Sequence, residues 1–384
     1  MSTLTEERLI IQEAARRFAM DEVLPLANQL DPEKGTIPPE LIRKMSEMGW
    51  FGMLLPEQFG GPGLGCFEYC MIAEELSRAW MSVGSLLARG NVLKPENLTE
   101  EQKLRWLPRV LTGDFLGSFA LSEPNAGSDL ANLSCRAKRI SDDVYEITGN
   151  KYWVTFADGA DFIIVFARTS EPTLPHARHQ GISAFLVEKP RGQLPENSRG
   201  SPIPKIGYHG WKTWEIAFDG CRVPAANLIG GEGKGFYVAS QGLEIARAHT
   251  AARSIGLARG GLEDAIAYAN ERVQFGQSIA DFQFTRFRVA DMATQIEAAR
   301  QLMYHVCSQI DSGKRCDKEA SMVKYFAAEM SERVTSDALQ IHGGAGYTTH
   351  FAVERYWRDA RLTKIFEGTS EIQLRIISDH IFKK

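Results

Sequence analysis

The chain has 384 residues, 44% of them hydrophobic and 24% charged, with a formal net charge of −4 at neutral pH. That length accommodates two or three domains or one large helical body. Acidic and basic residues are mixed without a run of either sign, which argues against nucleic acid or an anionic membrane as the main partner. No stretch of about eighteen apolar residues could span a bilayer. The segment Met1–Glu7 has neither the basic nor the apolar part of a signal peptide, so a cytoplasmic protein is expected. The six cysteines, Cys66, Cys70, Cys135, Cys221, Cys307 and Cys316, form no CxxC pair, and Cys66-x3-Cys70 has no nearby partner to complete a zinc site. The eight histidines show no metal-binding spacing on a helix, so reduced core thiols and no metal are expected.

From Thr5 to Phe115 the pattern is helical: Leu9, Ile10, Ala14, Phe18 and Ala19 recur at three-to-four spacing, and a helix is expected over Cys66–Leu87. Leu54–Gly63 between them is a loop punctuated by Pro and Gly. From Leu116 to Asn227 the texture is strand-like, with runs at Val144–Ile147, Tyr152–Phe156, Phe162–Ala167, Ile182–Val187 and Trp214–Phe218. Turns are expected at Gly149-Asn150 and Asp219-Gly220. No long helix separates these strands, so an antiparallel barrel or sandwich is expected. From Gly235 the helical period returns. Phe236, Ala239, Leu243 and Ala246 define one face, Val289 to Ile310 a second, and Val323, Phe326, Met330, Val334 and Leu339 a third. Three or four helices there imply a bundle. The order α, then β, then α gives an α+β protein with segments 1–115, 116–230 and 231–384.

Five constellations carry chemistry. In Lys364-Ile365-Phe366-Glu367-Gly368-Thr369-Ser370, a carboxylate sits between apolar residues and a glycine that allows a tight turn and close approach to a ligand. Poor solvation there would raise the Glu367 pKa toward the range of a general base; a solvated Glu at a helix start is the alternative. The loop Ala120-Leu121-Ser122-Glu123-Pro124-Asn125-Ala126-Gly127-Ser128-Asp129 offers amides and hydroxyls to a ligand, or is a plain turn. On a strand, Trp153 and Thr155 share a face, which suits a flat ring needing stacking and one hydrogen bond, although a buried core Trp is commoner. Arg272, in Arg272-Val273-Gln274-Phe275-Gly276, could clasp a pyrophosphate or form a surface ion pair. Gln340-Ile341-His342-Gly343-Gly344-Ala345-Gly346 breaks a helix and exposes amides. It follows no strand, so it is not a Rossmann fingerprint.

These motifs, in this order, resemble the flavin-dependent acyl-CoA dehydrogenase family along the whole chain. The loop Ala120–Asp129 and the stretch Gln340–Asp359, with Arg355, match its two signature segments. Lys205-Ile206-Gly207 and Arg222–Gly230 match the exit from its β domain. Departures are Asn132, His209 and His350. The resemblance implies an N-terminal helical domain, a middle β-barrel or sandwich domain and a C-terminal four-helix bundle. FAD would lie between the last two. Leu121, Ser122, Gly127 and Ser128 would line it, with Trp153 against the ring and Thr155 near N5. Arg272, Phe275, Gln340, Gly343 and Gly344 would reach the cofactor of a neighbouring subunit, and Thr369 and Glu371 its adenosine end, which implies a homotetramer. Glu367 matches the base that removes the proton alpha to the thioester; the alternative position used by some relatives is Ala246 here, which cannot act. Ser128 and Gly368 would touch substrate, and Glu244 and Arg247 would contact CoA, unless those two merely pair within their helix.

The implied product is a trans-2-enoyl-CoA, with electrons passed to electron-transferring flavoprotein. Trp80, Trp211 and Trp214 add bulk that leans toward a short or branched acyl chain. Arg89 interrupts an apolar helix; inside the acyl tunnel it would favour a dicarboxylyl-CoA of methylsuccinyl or glutaryl type. A solvent-facing or structurally paired Arg89 is the preferred reading. An oxidase would need an extra C-terminal domain, a monooxygenase would not need Glu367, and a DNA-binding relative would carry a basic added region.

Overall fold

The computed structural model describes residues 4–174 and 177–382, so Met1–Thr3 of the N-terminal segment lie outside the described residues. Thr5 caps the first helix by accepting the Arg8 N–H at 3.3 Å, and Glu6 and Glu7 follow in its first turn. Acidic residues there suit the positive end of the helix dipole. The N-terminal helices are α1 (Glu6–Phe18), α2 (Leu24–Leu30), α3 (Pro39–Glu47), α4 (Cys66–Ala79), α5 (Met81–Gly90) and α6 (Glu100–Leu111). The single helix expected over Cys66–Leu87 is therefore two. Trp80 breaks it with an extended backbone, φ −157° and ψ 114°. All of α4 is buried, and a helix surrounded on every side carries no periodic signal that would mark such a break.

The strands are β1 (Gly117–Ala120), β2 (Arg136–Ser141), β3 (Val144–Thr155), β4 (Phe162–Arg168), β5 (Ile182–Glu188), β6 (Ser198–Pro202), β7 (Thr213–Pro224) and β8 (Leu228–Ile229). They form one sheet in the order β6-β7-β3-β2-β4-β5-β8, with β1 also on β4. The sheet is not purely antiparallel, because β1 and β2 both run parallel to β4. Both expected turns lie inside strands. Gly149, at φ 142°, lets β3 pass so close to β2 that an added Cβ would lie 2.7 Å from the Cα of Cys135. Gly220, at φ 76°, sits where the β3–β7 register shifts. Glycine within a strand marks close approach or a bulge as readily as a turn. Every residue of β4 is buried, and its alternate side chains enter different cores. Phe162, Ile164 and Phe166 pack with Trp106, Leu107 and Val110 of α6, while Ile163, Val165 and Ala167 pack with Ile147, Ile216 and Phe218.

The C-terminal helices are α7 (Gly235–Ser240), α8 (Leu243–Glu271), α9 (Gln283–Asp311), α10 (Asp317–His342), α11 (Val353–Thr363) and α12 (Ser370–Ile381). Gly242, at φ 78°, separates α7 from α8, so Phe236 and Ala239 do not share a helix with Leu243 and Ala246. Helix α8 packs on α4, α9, α10 and α11. Its glycines permit the closest approach: a Cβ on Gly256 would lie 2.3 Å from the Glu74 carbonyl oxygen. Buried carboxylates stitch the same layer. Glu74 receives Arg300 at 2.9 Å and Glu75 receives Arg259 at 2.7 Å.

Cys66 and Cys70 do have a partner that sequence spacing missed. Cys307 of α9 brings its sulfur to 3.7 Å from that of Cys66, which lies 3.8 Å from that of Cys70. Burial pushes the Cys70 and Cys307 thiols well above their ordinary value. Among the described residues, no helix is long and apolar enough to cross a membrane.

Replacing Gly256 by Ala should cost about 1–3 kcal/mol of unfolding free energy, because the new methyl meets backbone rather than a movable side chain. Urea titration of the purified protein measures this.

Candidate active site

Glu367 lies in the link between α11 and α12. It adopts φ 56° and Gly368 follows at φ 83°, so two successive residues are left-handed. Such a conformation costs a non-glycine residue about 1–3 kcal/mol and persists only where the surroundings over-determine it. They do so here. Ser370 N–H donates to the Lys364 carbonyl at 2.9 Å, and the Thr369 hydroxyl caps α12 by accepting the Ile372 N–H. The Gly368 carbonyl accepts from the Lys324 ammonium at 2.6 Å and from the Gln373 amide at 3.0 Å. Among the described residues, the Glu367 N–H donates to no backbone or side-chain acceptor.

The setting of Glu367 is more open than Ile365 and Phe366 suggested. Its side chain is 41% exposed, and Ile365 itself points largely outward. The Glu367 carboxylate lies 3.7 Å from the guanidinium of Arg253, whose side chain is only 3% exposed. Arg253 is locked in place: it donates to Ser85 Oγ at 2.7 Å and Thr250 Oγ1 at 2.9 Å, and lies over the Phe366 ring at 4.6 Å. Beside it, His249 reaches the Gly84 carbonyl with Nε2 at 3.1 Å and stacks on Tyr69 at 4.6 Å. Burial, then the neighbouring Arg253, pushes the His249 pKa well below its ordinary value, so its imidazole is neutral at neutral pH.

Arg89 approaches from α5, with its guanidinium 5.5 Å from the Trp211 ring. Its Nε is buried without a hydrogen-bond partner, and Arg89 forms no ion pair among the described residues. It is thus neither structurally paired nor simply solvent-facing. Trp211, Tyr208 and Phe366 pack edge-on in sequence, at 5.6 and 6.1 Å. Of the three tryptophans expected near the acyl chain, only Trp211 joins this wall. Trp80 lies in the main core, and Trp214 donates its indole N–H to Asp158 at 3.1 Å.

A second group of residues gathers at the sheet. Strand β3 bulges between Lys151 and Val154, where Trp153 takes φ 61°. The bulge breaks the simple alternation that put Trp153 and Thr155 on one face. It turns out the Trp153 indole, which is 55% exposed, while Thr155 Oγ1 lies 3.2 Å from Thr213 Oγ1. The loop Leu121–Asp129 is moored to this strand. Tyr152 N–H donates to the Ser122 carbonyl at 2.9 Å, and the buried Lys151 ammonium reaches the Leu121 carbonyl at 3.1 Å and Glu123 at 2.8 Å. Glu123 also accepts the Ser134 and Cys135 N–H groups. Burial alone would raise the Glu123 pKa, but Lys151 and these donors hold it below the ordinary 4.5. Gly127 and Ser128 lie exposed at the tip, with open space around Gly127.

The remaining residues face elsewhere. Arg272 ends α8, and Phe275 follows in a tight hairpin at φ 52°, its ring 95% exposed. Gln340, Gly343 and Gly344 are exposed where α10 ends, with open space around both glycines. Among the described residues, no hydrogen bond or ring contact joins this group to Trp153 or Thr155. Glu244 and Arg247 do not pair with each other: Glu244 accepts the Cys316 N–H at 2.8 Å, and Arg247 lies 3.4 Å from Asp317. Glu371 is solvent-facing in the first turn of α12, where its own N–H and the Thr369 hydroxyl hold its pKa below the ordinary value.

Family models for the N-terminal, middle and C-terminal domains of acyl-CoA dehydrogenases match residues 5–114, 118–221 and 233–382. The chain belongs to the acyl-CoA dehydrogenase family. It is 40% identical to an acyl-CoA dehydrogenase of Bacillus subtilis over 98% of both chains. It is 41% identical to a (2S)-methylsuccinyl-CoA dehydrogenase of Cereibacter sphaeroides, over 98% of this chain and 70% of the relative. Among solved structures, butyryl-CoA dehydrogenase from Megasphaera elsdenii superposes with a TM-score of 0.92 at 34% identity, covering 99% of both chains. A chain from a structure titled for the electron transferring flavoprotein of Acidaminococcus fermentans gives 0.93 at 37%, also covering 99% of both. The protein is therefore an oxidoreductase acting on acyl-CoA, of an FAD-dependent family. Its residues fit that cofactor: an outward-turned indole suits a flat ring, and open glycine-lined turns suit a diphosphate.

Sequence reasoning missed His249, Lys324 and Gln373 beside Glu367, and it singled out Arg253 only within Thr250–Arg253, a segment that with Gly207–Gly210 resembles the methylsuccinyl-CoA dehydrogenase branch. The available signal was charge within an otherwise small and apolar helix. Such residues have to be paired or functional when buried.

Removing the Glu123 carboxylate tests the mooring of the loop Leu121–Asp129 to β3. A carboxyl with a lowered folded pKa stabilises above its ordinary 4.5 and loses that contribution as pH falls through the folded value. Glu123→Gln should lower Tm at pH 7, and the gap from the parent protein should shrink on acidification toward pH 3, as followed by scanning calorimetry.

Proposed function

We propose that the protein catalyses α,β-dehydrogenation of a short or branched acyl-CoA, with Glu367 as base, and passes electrons to electron-transferring flavoprotein. The observation that carries this reading is the pinned left-handed turn, which presents both a carboxylate and a free backbone N–H from one residue. The carboxylate would take the proton alpha to the thioester. The N–H would hold the thioester oxygen as charge develops there, a contribution of about 3–4 kcal/mol for one such donor. When bound, FAD supplies the acceptor for the hydride equivalent that leaves the beta carbon. Leu121, Ser122, Gly127, Ser128, Trp153 and Thr155 would hold it on one side. The outward-facing Arg272, Phe275, Gln340, Gly343 and Gly344, with Thr369 and Glu371, would serve the cofactor of another copy in a homotetramer. A fully exposed aromatic in a strained turn is well suited to such a subunit contact. Ser128, Gly368, Glu244 and Arg247 would border the CoA arm.

A second, narrower reading is favoured by the cations. Arg89 and Arg253 lie beside the wall formed by Trp211 and Phe366. Arg89 Nε is buried without a partner, and a buried donor left unpaired is costly. A second carboxylate at the far end of a short acyl chain would satisfy it. The substrate on this reading is a dicarboxylyl-CoA.

Glu367→Gln should retain FAD and fail to bleach anaerobically with any acyl-CoA; a normal bleaching rate would place the base elsewhere. Oxygen consumption in place of bleaching would mark an oxidase. Arg89→Ala should lower kcat/KM by about a hundredfold on a dicarboxylyl-CoA and change it little on butyryl-CoA. Equal losses on both would discard the dicarboxylate reading.

A further inference from the structure

Taking Glu367 as the base, we infer that Lys324 is a positioning residue for it, holding the Gly368 carbonyl so that the turn presents the Glu367 carboxylate and N–H together. Lys324 sits within α10 and has no exposed surface. Burying an ammonium is expensive, and such a lysine normally finds a carboxylate. Here its hydrogen bond goes instead to the carbonyl that directly follows the candidate base, at 2.6 Å. The nearest acid on its own helix is otherwise engaged: Glu329 accepts Ser370 Oγ–H at 2.8 Å and Lys364 Nζ at 2.7 Å. Gln373, itself 1% exposed, donates to the same Gly368 carbonyl at 3.0 Å and to the Glu367 carbonyl at 3.4 Å. Donors from α10 and α12 therefore converge on one peptide unit. Both hydrogen bonds fix the backbone immediately after Glu367, and with it the left-handed turn from which the Glu367 side chain and N–H project.

The charged groups facing Lys324 are Glu367, Glu329 and Glu371, against Arg253. Burial lowers its pKa to about 8 even though Glu367 raises it. The group is thus an ammonium at neutral pH and loses its charge as pH rises through about 8. An arginine at this position would stay charged throughout.

The test follows proton transfer at the acyl α-carbon, as exchange of the α-hydrogen for solvent deuterium, read by NMR. It uses the FAD-loaded enzyme with butyryl-CoA, anaerobically and with no electron acceptor. Lys324→Met should slow exchange by about thirtyfold and, in a separate assay with electron-transferring flavoprotein as acceptor, lower kcat by about thirtyfold with KM within about threefold, because a displaced base loses rate rather than binding. The parent protein should lose exchange as pH rises through about 8, and Lys324→Arg should recover most of the exchange and abolish that alkaline loss. Exchange at the parental rate in Lys324→Met overturns the inference. If that variant does not fold, Gln373→Met removes the other donor on the same carbonyl. It should slow exchange by about tenfold while FAD stays bound, and an unchanged rate would equally overturn it. Glu367→Gln separates the two levels. Exchange persisting in Glu367→Gln removes the base assignment itself; exchange lost there but kept in Lys324→Met removes only the role of Lys324.

Discussion

Two successive left-handed residues between α11 and α12 are the constraint on which the site turns. A glutamate does not adopt φ 56° unaided, and its neighbours supply the compensation: an N-terminal cap on α12, a buried ammonium, and a buried amide aimed at one carbonyl. The backbone strain is bounded by the donors that hold it. Those donors come from two different helices, so the geometry of a single peptide reports the packing of the whole C-terminal bundle.

The same device recurs near the candidate site and at the outward hairpin beyond it. Trp153, Phe156, Tyr208, Phe275 and Glu367 all take positive φ without being glycine. Phe156 and Tyr208 both pack against Trp211, the aromatic that faces Arg89. Trp153 and Phe275 both turn their rings outward. Elsewhere only Lys34 and Asn197 share this conformation among the described non-glycine residues. Strain is concentrated where side chains must be aimed, and the cost is met by ordinary helices and strands that contain none.

The α–β–α order was legible because helix and strand periods differ, and the tight turn at Glu367 was legible because a glycine follows it. Local pattern failed where packing overrode it. Gly149 looked like a turn and proved to be a contact point between β2 and β3, a distinction set by Cys135 rather than by its chain neighbours. Trp80 broke a helix that reads as continuous, because every face of that helix is covered. The partners of Arg253 and Lys324 could not be read at all: Ser85 lies 168 residues from Arg253, and Gly368 lies 44 from Lys324. Cys307 escaped for the same reason, lying 241 residues from Cys66.

Arg253 stands on α8, whose glycines clamp it to α4 at near-contact distance. A buried guanidinium 3.7 Å from the Glu367 carboxylate is therefore carried by a closely packed helix rather than by a loop. Charge at this point cannot be exchanged without disturbing the packing of two helices, because Ser85 of α5 and Thr250 of α8 both receive its donors.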